Sequence, residues 1–528
     1  MTLTVPPGAE SDAGVVLDAG RKRAILVALC LSLMAVIASV SILNVAQQDL
    51  AIQFDASQST VLWIINVYTL ALAALLMPIG AIGDRWGRKP VLLAGLALFG
   101  VSSIIAALAN SADMMIVGRA LAGVAAAMIM PVTLSVITST FPPEDRGQAI
   151  GVWAGVAGAG GMVGLFVAAL MVDVASWRWA FLFPVAFAVI GFVLTVRSVP
   201  NSREHREHRF DIGGSILSMF AIGGIVLGIH EGPERGWNDT ITVVALVIGA
   251  VAVLAFILWE LRQADPLLDV RTFANRGLAA GSFTLLLLFA VMFGIFLVLF
   301  PYFQAVLGWS ALHSAVALLP MAAVMMPTAA SAPRLAKRFG ARRTMLLGLV
   351  LAGGGLTTLA LSASVEGGYM SVLPGLLIIG LGMGFTMTPS TEAITESLPI
   401  DKQGVASALN DTSREIGGAV GIALLGAIVS GGYRDSIEPA LAGLPPELAE
   451  PASEGIGNAY GVVAAAGDAL PPEQAGMIID AAQHAFVDGW VGAMWVGVAL
   501  VAVAFAYVLF RGPRREDDVL DLELELVS

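Results

Sequence analysis

The chain has 528 residues, of which 57% are hydrophobic and only 13% are charged. A water-soluble domain carries about a quarter charged residues because water must solvate its surface. The composition therefore excludes a purely soluble protein and predicts that most of the surface faces lipid. The net charge of −12 comes mainly from acids near the C-terminus and between residues 431 and 489, which we interpret as solvated surface.

Apolar segments follow one another from residue 24 onward, each close to the roughly twenty residues that a helix needs to cross a bilayer. There are fourteen, near 24–46, 59–80, 90–108, 113–134, 149–170, 177–196, 211–230, 240–260, 278–300, 310–331, 344–362, 371–390, 404–430 and 487–510. The first is too long for the apolar core of a signal peptide, so we predict that it is an uncleaved span.

The basic residues test this count. With fourteen spans and a cytoplasmic start, 23 of the 28 Lys and Arg residues fall on cytoplasmic segments. The exceptions are Arg119, Arg178, Arg235, Arg414 and Arg434. Such asymmetry is the positive-inside pattern. It predicts a multi-pass protein of the cytoplasmic membrane with both termini in the cytoplasm.

A basic turn occurs twice at equivalent places. The connection after the second span contains Asp84-Arg85-Trp86-Gly87, and the connection after the tenth contains Lys337-Arg338-Phe339-Gly340. Each lies between an outside-to-inside span and an inside-to-outside span. The repetition predicts two homologous halves, an arrangement typical of transporters whose halves rock around a central site.

Residues 80–89 resemble the cytoplasmic signature of the major facilitator superfamily, in which a Gly, an acid, Arg, Gly and Arg-Lys follow in order. The resemblance implies a gate that holds the inner mouth closed, carried by Asp84, Arg85, Gly87 and Arg88. In the second copy Lys337 stands where the acid is expected, so we expect that half to gate less strictly.

Two further stretches are similar to motifs of the same family. Arg119 in the fourth span matches the family's Arg–Gly motif, which implies a role in proton movement; a buried charge paired with backbone carbonyls is the structural alternative. The fifth span resembles the family's antiporter motif, although Gly161 stands where a Pro is usual. The glycines assigned to this motif, for which close helix packing is the alternative, are Gly155, Gly160, Gly161 and Gly164.

The span count is similar to that of the fourteen-helix drug:proton antiporters, a branch with two helices more than the usual twelve. The resemblance implies an all-α integral membrane protein with the major facilitator fold, two six-helix halves plus two extra central helices. We divide the chain into a cytoplasmic tail (1–20), an N-terminal bundle (21–200), a linker with two inserted helices (201–270), a C-terminal bundle (271–510, including an extracellular loop, 431–485) and an acidic cytoplasmic tail (511–528).

Charges at mid-membrane are costly and need a partner, a wet cavity or a function. Asp411, Arg414 and Glu415 lie in the thirteenth span, and Asp411 and Arg414 are spaced to meet on one helix face. Incompletely paired carboxylates in such a setting can exchange protons. We hypothesise that Asp411 or Glu415 couples transport to protons under the influence of Arg414; a structural ion pair is the alternative. Near the outer surface, Asp173 and Arg178 are expected to pair.

One expected acid is absent. The branch usually carries an Asp in the first span shortly before an Asn-Val-Ala sequence, and here Ser39 occupies that place before Asn44. Three interpretations stay open: coupling has moved to the thirteenth span, the substrate is not a cation, or transport is not proton-coupled.

Nothing in the sequence indicates an enzyme, a metal site or nucleic-acid binding, and no phosphate-binding loop is present. We therefore expect no cofactor, a proton gradient as energy source, and a monomer in the bilayer that binds a small amphipathic substrate and protons. The residues that we expect to line a lipophilic cavity are Trp63, Tyr68, Met292, Phe293, Met383 and Phe385.

The function predicted first is export of amphipathic small molecules, such as drugs and dyes, by proton antiport with alternating access. An exporter or flippase of an endogenous lipid or metabolite is the alternative. A receptor on the same fold that does not transport is a third possibility, which the retained gate residues disfavour.

Overall fold

The computed structural model describes residues 18–202, 210–442, 444–467 and 470–513. Most of both predicted tails, and the basic cytoplasmic loop at 203–209, lie outside the described residues. The side chains of Asn44, Gln47, Gln48, Gln58 and Ser59 lie outside them as well.

The described residues form helices and short connections. The first eight helices are α1 (Ala19–Phe54), α2 (Gln58–Trp86), α3 (Arg88–Ala107), α4 (Ala112–Thr140), α5 (Pro143–Val174), α6 (Trp177–Ser198), α7 (Ile212–Arg235) and α8 (Thr240–Glu260). The remaining helices are α9 (Arg276–Pro301), α10 (Ala311–Phe339), α11 (Ala341–Ser362), α12 (Gly368–Glu396), α13 (Gln403–Leu441), α14 (Pro446–Ser453), α15 (Ile456–Ala466) and α16 (Pro472–Arg511). Within the described ranges fourteen helices are long and apolar enough to cross a membrane, which confirms the predicted count.

The two basic turns have the same backbone conformation. Gly87 ends α2 with φ +110°, and Gly340 ends α10 with φ +90°. L-residues with a side chain rarely adopt this region, so glycine is needed at both turns. The packing repeats as well: α2 packs on α4, α3 on α6 and α1 on α5, as α10 packs on α12, α11 on α16 and α9 on α13. The chain therefore contains two halves of one design, α1–α6 and α9–α13 with α16.

The inserted helices are central in the sequence but peripheral in the fold. Helices α7 and α8 pack on each other, and the main contacts of the pair with the bundle are those of α7 with α2 and α13. Gly224 and Gly249 lie backbone to backbone where α7 and α8 cross. Many apolar side chains of α8 are exposed, among them Val247, Val251 and Leu254. Helices α7 and α8 therefore lie against one of the two interfaces between the halves, the one between α2 and α13.

We call the end of the bundle where α1 begins and α16 ends the terminal face, and the other end the opposite face. The halves meet along two seams, α2 with α13 and α5 with α10. Close approaches in the second seam run from Gly147, near the terminal face, to Gly158 in the middle of α5. Beyond that point Gly164 packs on Ala38 of its own half. The described contacts thus close the cleft between the halves on the terminal side.

Candidate functional site

The Asp84 carboxylate joins the two halves at the terminal face. It is 3% exposed and accepts hydrogen bonds from the backbone amides of Gly404, at 2.7 and 2.9 Å, and Val405, at 3.3 Å. These amides belong to the first turn of α13, where backbone N–H groups are free and the helix dipole favours negative charge. An acid at the end of α2 therefore caps a helix of the other half.

Arg88 holds this carboxylate in place. Its guanidinium donates to Asp84 Oδ1 from Nε at 3.0 Å and from Nη2 at 2.6 Å. Nη2 also donates to the Ile400 carbonyl, at 3.2 Å, in the connection before α13. Arg85, assigned to the gate with them, is exposed on the surface. The predicted gate residues Asp84 and Arg88 thus contact each other. Their partners in the other half are backbone groups, which the sequence did not reveal.

Glycine permits this close approach. A Cβ at Gly80 would lie 2.5 Å from the Gly404 carbonyl oxygen, and one at Gly404 would lie 2.7 Å from the Asp84 carboxylate. The signature glycine Gly80 and the unpredicted Gly404 are therefore a matched pair across the α2–α13 seam.

The predicted antiporter-motif helix α5 has two glycine surfaces. Gly155 faces Met326 of α10 in the other half. Gly160 and Gly161 face Met34 and Ile37 of α1, and Gly164 lies against the α1 backbone at Ala38. The motif residues therefore divide between one contact across the halves and three within the N-terminal half.

Arg119 is buried within the N-terminal half. Its Nη1 donates to Ser39 Oγ at 2.8 Å and to the Ser39 carbonyl at 3.3 Å. Its guanidinium lies 4.2 Å from the ring centroid of Tyr68, whose hydroxyl donates to the Val36 carbonyl at 3.1 Å. Among the described residues no carboxylate lies within ion-pair distance of Arg119. The structural alternative for Arg119 was pairing with backbone carbonyls, and its acceptors here are the carbonyl and hydroxyl of Ser39, the residue that stands in place of the expected first-span acid.

Asp411 lies in a polar cluster inside the C-terminal half and is 0% exposed. Its Oδ1 accepts hydrogen bonds from Asn410 Nδ2 at 3.1 Å and Arg414 Nη1 at 3.4 Å. Thr391 of α12 donates to the Asn410 Oδ1 at 3.0 Å, which fixes that amide. No hydrogen-bond donor among the described residues reaches Asp411 Oδ2. One oxygen of a deeply buried carboxylate is thus left without a donor.

Arg414 reaches across to the other half. Its Nη2 donates to the Ala157 carbonyl of α5 at 3.4 Å. Its guanidinium lies 4.5 Å from the ring centroid of Phe289, on α9 of its own half. It lies 5.6 Å from the ring centroid of Trp153, which is on α5 like Ala157. The arginine is therefore shared between the Asp411 carboxylate of its own helix and groups of the N-terminal half.

Glu415 differs from Asp411 in exposure. It is partly exposed, and it interacts electrostatically with Arg414 and with Tyr68 of the other half. The predicted trio is therefore together in space, with one acid fully enclosed and the other partly accessible.

The predicted cavity residues fall into two groups. Tyr68, Met292 and Met383 are buried, at 0%, 7% and 1% exposure. Trp63, Phe293 and Phe385 are partly exposed, and Phe293 packs on Phe289 with ring centroids 6.2 Å apart. Only the second group has surface to offer a ligand in this conformation.

Near the opposite face, Arg178 contacts neutral groups. Arg178 donates to Gln53 Oε1 and the Ala109 carbonyl, and within the described ranges no ion pair joins it to Asp173. The expected pair is therefore wrong, because the side-chain amide at the end of α1 is the nearer acceptor.

The segment at 431–485 continues α13, forms α14 and α15 and begins α16. Tyr460 donates to the Ala305 carbonyl at 2.6 Å and so fastens this segment to the C-terminal half.

No group of three His, Cys, Asp or Glu side chains suited to a metal ion occurs in the described ranges. Separately, Asp411 and Glu415 lie beside the Arg414 guanidinium, and buried carboxyl groups in such a setting are able to exchange protons.

The sequence profile of the Major Facilitator Superfamily matches residues 29–422. The chain belongs to this superfamily. The multidrug efflux pump LfrA of Mycolicibacterium smegmatis is 34% identical over 92% of this facilitator and 95% of its own length. The tetracenomycin C resistance and export protein of Streptomyces glaucescens is 30% identical, with 94% and 93% covered. The methyl viologen resistance protein SmvA of Salmonella typhimurium is also 30% identical, with 93% and 99% covered.

Solved structures show the same fold at low sequence identity. The proton:xylose symporter XylE is 13% identical, with a TM-score of 0.60 over 94% of this facilitator and 97% of that chain. A bacterial homologue of the human lysosomal transporter Spinster, in an inward-facing conformation, is 17% identical, with a TM-score of 0.58 and 94% and 99% covered.

Proposed function

We propose that this facilitator exports amphipathic small molecules from the cytoplasm by proton antiport. Its relatives named above are drug efflux and resistance proteins, and they cover nearly its whole length. The terminal face is assigned to the cytoplasm because most basic residues of the connections lie there. The conformation described is then closed to the cytoplasm.

The observation that carries the coupling is the divided bonding of Arg414. The guanidinium contacts the Asp411 carboxylate on one side and the Ala157 carbonyl of the other half on another. When Asp411 takes up a proton its attraction for Arg414 falls, and the guanidinium remains held by the N-terminal half. When Asp411 releases the proton, the restored charge draws Arg414 back. Proton exchange thus alters a contact between the halves, which is what an antiporter needs.

The partly exposed Glu415 is the second acid of this scheme. A carboxylate that a substrate can reach is able to exchange its proton for the positive end of an amphiphile. Asp411, which is enclosed and bonded to Arg414, is better placed to weaken or restore its attraction for Arg414 as it gains or loses a proton. The proposal therefore gives the two acids different tasks.

Reconstitution tests the proposal. The purified protein is placed in liposomes with an imposed pH gradient, and proton movement is followed with a pH-sensitive dye while ethidium or methyl viologen is added. Wild type is expected to couple substrate export to proton entry. Asp411→Asn, alone or together with Glu415→Gln, is expected to abolish coupled flux, whereas Glu415→Gln alone is expected to weaken the binding of a cationic substrate. Unchanged coupling in the double variant overturns the assignment of the acids, and binding without flux in wild type contradicts transport.

The serine at position 39 favours a second candidate, an exporter of an uncharged or anionic metabolite or lipid. The first span offers no carboxylate to a cation, and Arg119 beside it is positively charged. The same liposomes decide between the two candidates. If the second is correct, lipophilic cations at saturating concentration fail to elicit proton movement, whereas the metabolite or lipid elicits it.

A further inference from the structure

The second basic turn contacts the other half although its acid is missing. Lys337, which stands where Asp84 stands in the first turn, donates from Nζ to the Glu144 carbonyl at 3.1 Å. Glu144 lies in the first turn of α5. The α5–α10 seam therefore has its own polar contact near the terminal face.

A carboxylate from a third helix lies at the same place. Glu392 of α12 is partly buried, and its Oε1 is so near Gly147 of α5 that a Cβ at that glycine would overlap it. Pro333 of α10 lies 3.2 Å from the same Cβ position. Lys337 attracts Glu392 electrostatically, whereas Glu396, one turn away, repels it. Three helices of two halves thus converge around one carboxylate.

The two seams correspond through the repeat. Helix α5 of the N-terminal half is equivalent to α13 of the C-terminal half, and each has an acid of the other half beside its beginning. In one seam the acid is Asp84 and the facing glycine is Gly404; in the other the acid is Glu392 and the facing glycine is Gly147. Asp84 accepts hydrogen bonds from the first amides of α13, whereas Glu392 lies beside the backbone of α5 one turn after the helix begins.

We propose that Glu392 and Lys337 form a second latch, on the α5–α10 seam, that holds the terminal face closed. Glu392 supplies from α12 the acid that the second basic turn lacks. Lys337 attracts this carboxylate, although no ion pair joins the two within the described residues, and it holds the beginning of α5 through the Glu144 carbonyl. This inference rests on the proposed alternating access, and it makes Glu392 a positioning residue for transport.

Distances across the two seams test the latch without substrate or a pH gradient, so a failure of the proposed transport does not affect the result. The background is Cys30→Ala, which removes the single cysteine. Spin labels at Gln148→Cys and Phe339→Cys report on the α5–α10 seam, and labels at Trp86→Cys and Ile400→Cys report on the α2–α13 seam. All four positions are exposed.

Glu392→Gln and Lys337→Met are expected to lower the ratio of short to long distances across the α5–α10 seam by about fivefold to tenfold, because each removes a charged group from the seam. Gly147→Ala is expected to lower the same ratio because its methyl group would overlap the Glu392 carboxylate. Gly147→Ala removes no charge, so it keeps the test open if either charge variant fails to fold. Glu144→Gln is the matched control, because it neutralises an exposed carboxylate beside the seam and leaves the bonded carbonyl in place.

A folded Glu392→Gln protein with the distance distribution of Glu144→Gln overturns the proposal. A lower melting temperature with unchanged distances also overturns it, because that outcome assigns Glu392 to packing alone.

Discussion

Nη1 of Arg119 donates to Oγ of Ser39 over 2.8 Å and to the Ser39 carbonyl over 3.3 Å. Arg119 is 2% exposed, and its Nε has no acceptor among the described residues. A hydroxyl and a carbonyl solvate this cation without neutralising it. The absence of a first-span acid therefore leaves a buried positive charge in the N-terminal half.

Ser39→Asp should be tolerated because it gives this charge a partner. We expect the free energy of unfolding to stay within about 1 kcal/mol of wild type, since ion pairing offsets the cost of burying the new carboxylate. Thermal unfolding in detergent measures the effect.

Ser32→Asp is the matched control for that substitution. Ser32 lies on the same helix at 0% exposure, and its hydroxyl donates only to the Ala28 carbonyl at 2.7 Å. An unpaired carboxylate there is expected to cost about 3 kcal/mol or more. Equal destabilisation by both substitutions contradicts the view that Arg119 lacks a counter-charge.

Asp84→Asn should open the terminal face. The substitution keeps the shape of the side chain but leaves buried Arg88 without its anion and weakens the cap on α13, at a cost of about 3 kcal/mol. The labelled pair across the α2–α13 seam is expected to move to longer distances. Asp173→Asn, an exposed carboxylate near the opposite face, is the control and should leave the distances unchanged.

Gly404→Ala should disturb the same seam through packing alone. The added methyl group would meet the Gly80 carbonyl and the Asp84 carboxylate, and overpacking of this kind costs about 1–3 kcal/mol. Gly431→Ala on the same helix has nothing within 4 Å of the new methyl group. A similar effect of both substitutions on closure and melting temperature would show that the close approach of α2 and α13 is unimportant.

The sequence predicted those features that depend on residue type and spacing. Hydropathy gave the spans, basic residues gave a consistent topology, and the paired turns ending at Gly87 and Gly340 revealed the repeat. The side chains Asp84, Arg88, Asp411 and Arg414 could be singled out because charge is costly inside a membrane.

The partners of those side chains could not be predicted. Asp84 bonds the backbone amide of Gly404, 320 positions away, and Arg414 bonds the carbonyl of Ala157, 257 positions away. Every residue carries a backbone carbonyl and every residue except proline a backbone N–H, so no pattern of residue types marks the ones that are used. Glu392 was missed for a related reason: its role depends on a glycine of another helix, which has no side chain to suggest a contact.

Substitutions of Glu415 and Asp411 should affect different steps of transport. Glu415 is partly exposed and should act in substrate recognition, whereas Asp411 is enclosed and should act in proton coupling. Glu415→Gln is expected to raise the KM for a dication such as methyl viologen about tenfold or more, with a smaller effect on an uncharged substrate, since a reachable charge contributes to binding. Asp411→Asn is expected to change KM little and to remove the dependence of transport on the pH gradient, because substrate does not reach the enclosed carboxylate.

Transport kinetics in proteoliposomes, with and without the gradient, measure both quantities. Thr412→Val, a neutral substitution beside Asp411 on the same helix, controls for general disturbance of α13 and should alter neither. If Glu415→Gln abolishes gradient dependence while Asp411→Asn raises the KM for the dication, the two roles must be exchanged. That outcome would place the coupling proton in the cleft, where substrate and proton compete directly for one carboxylate.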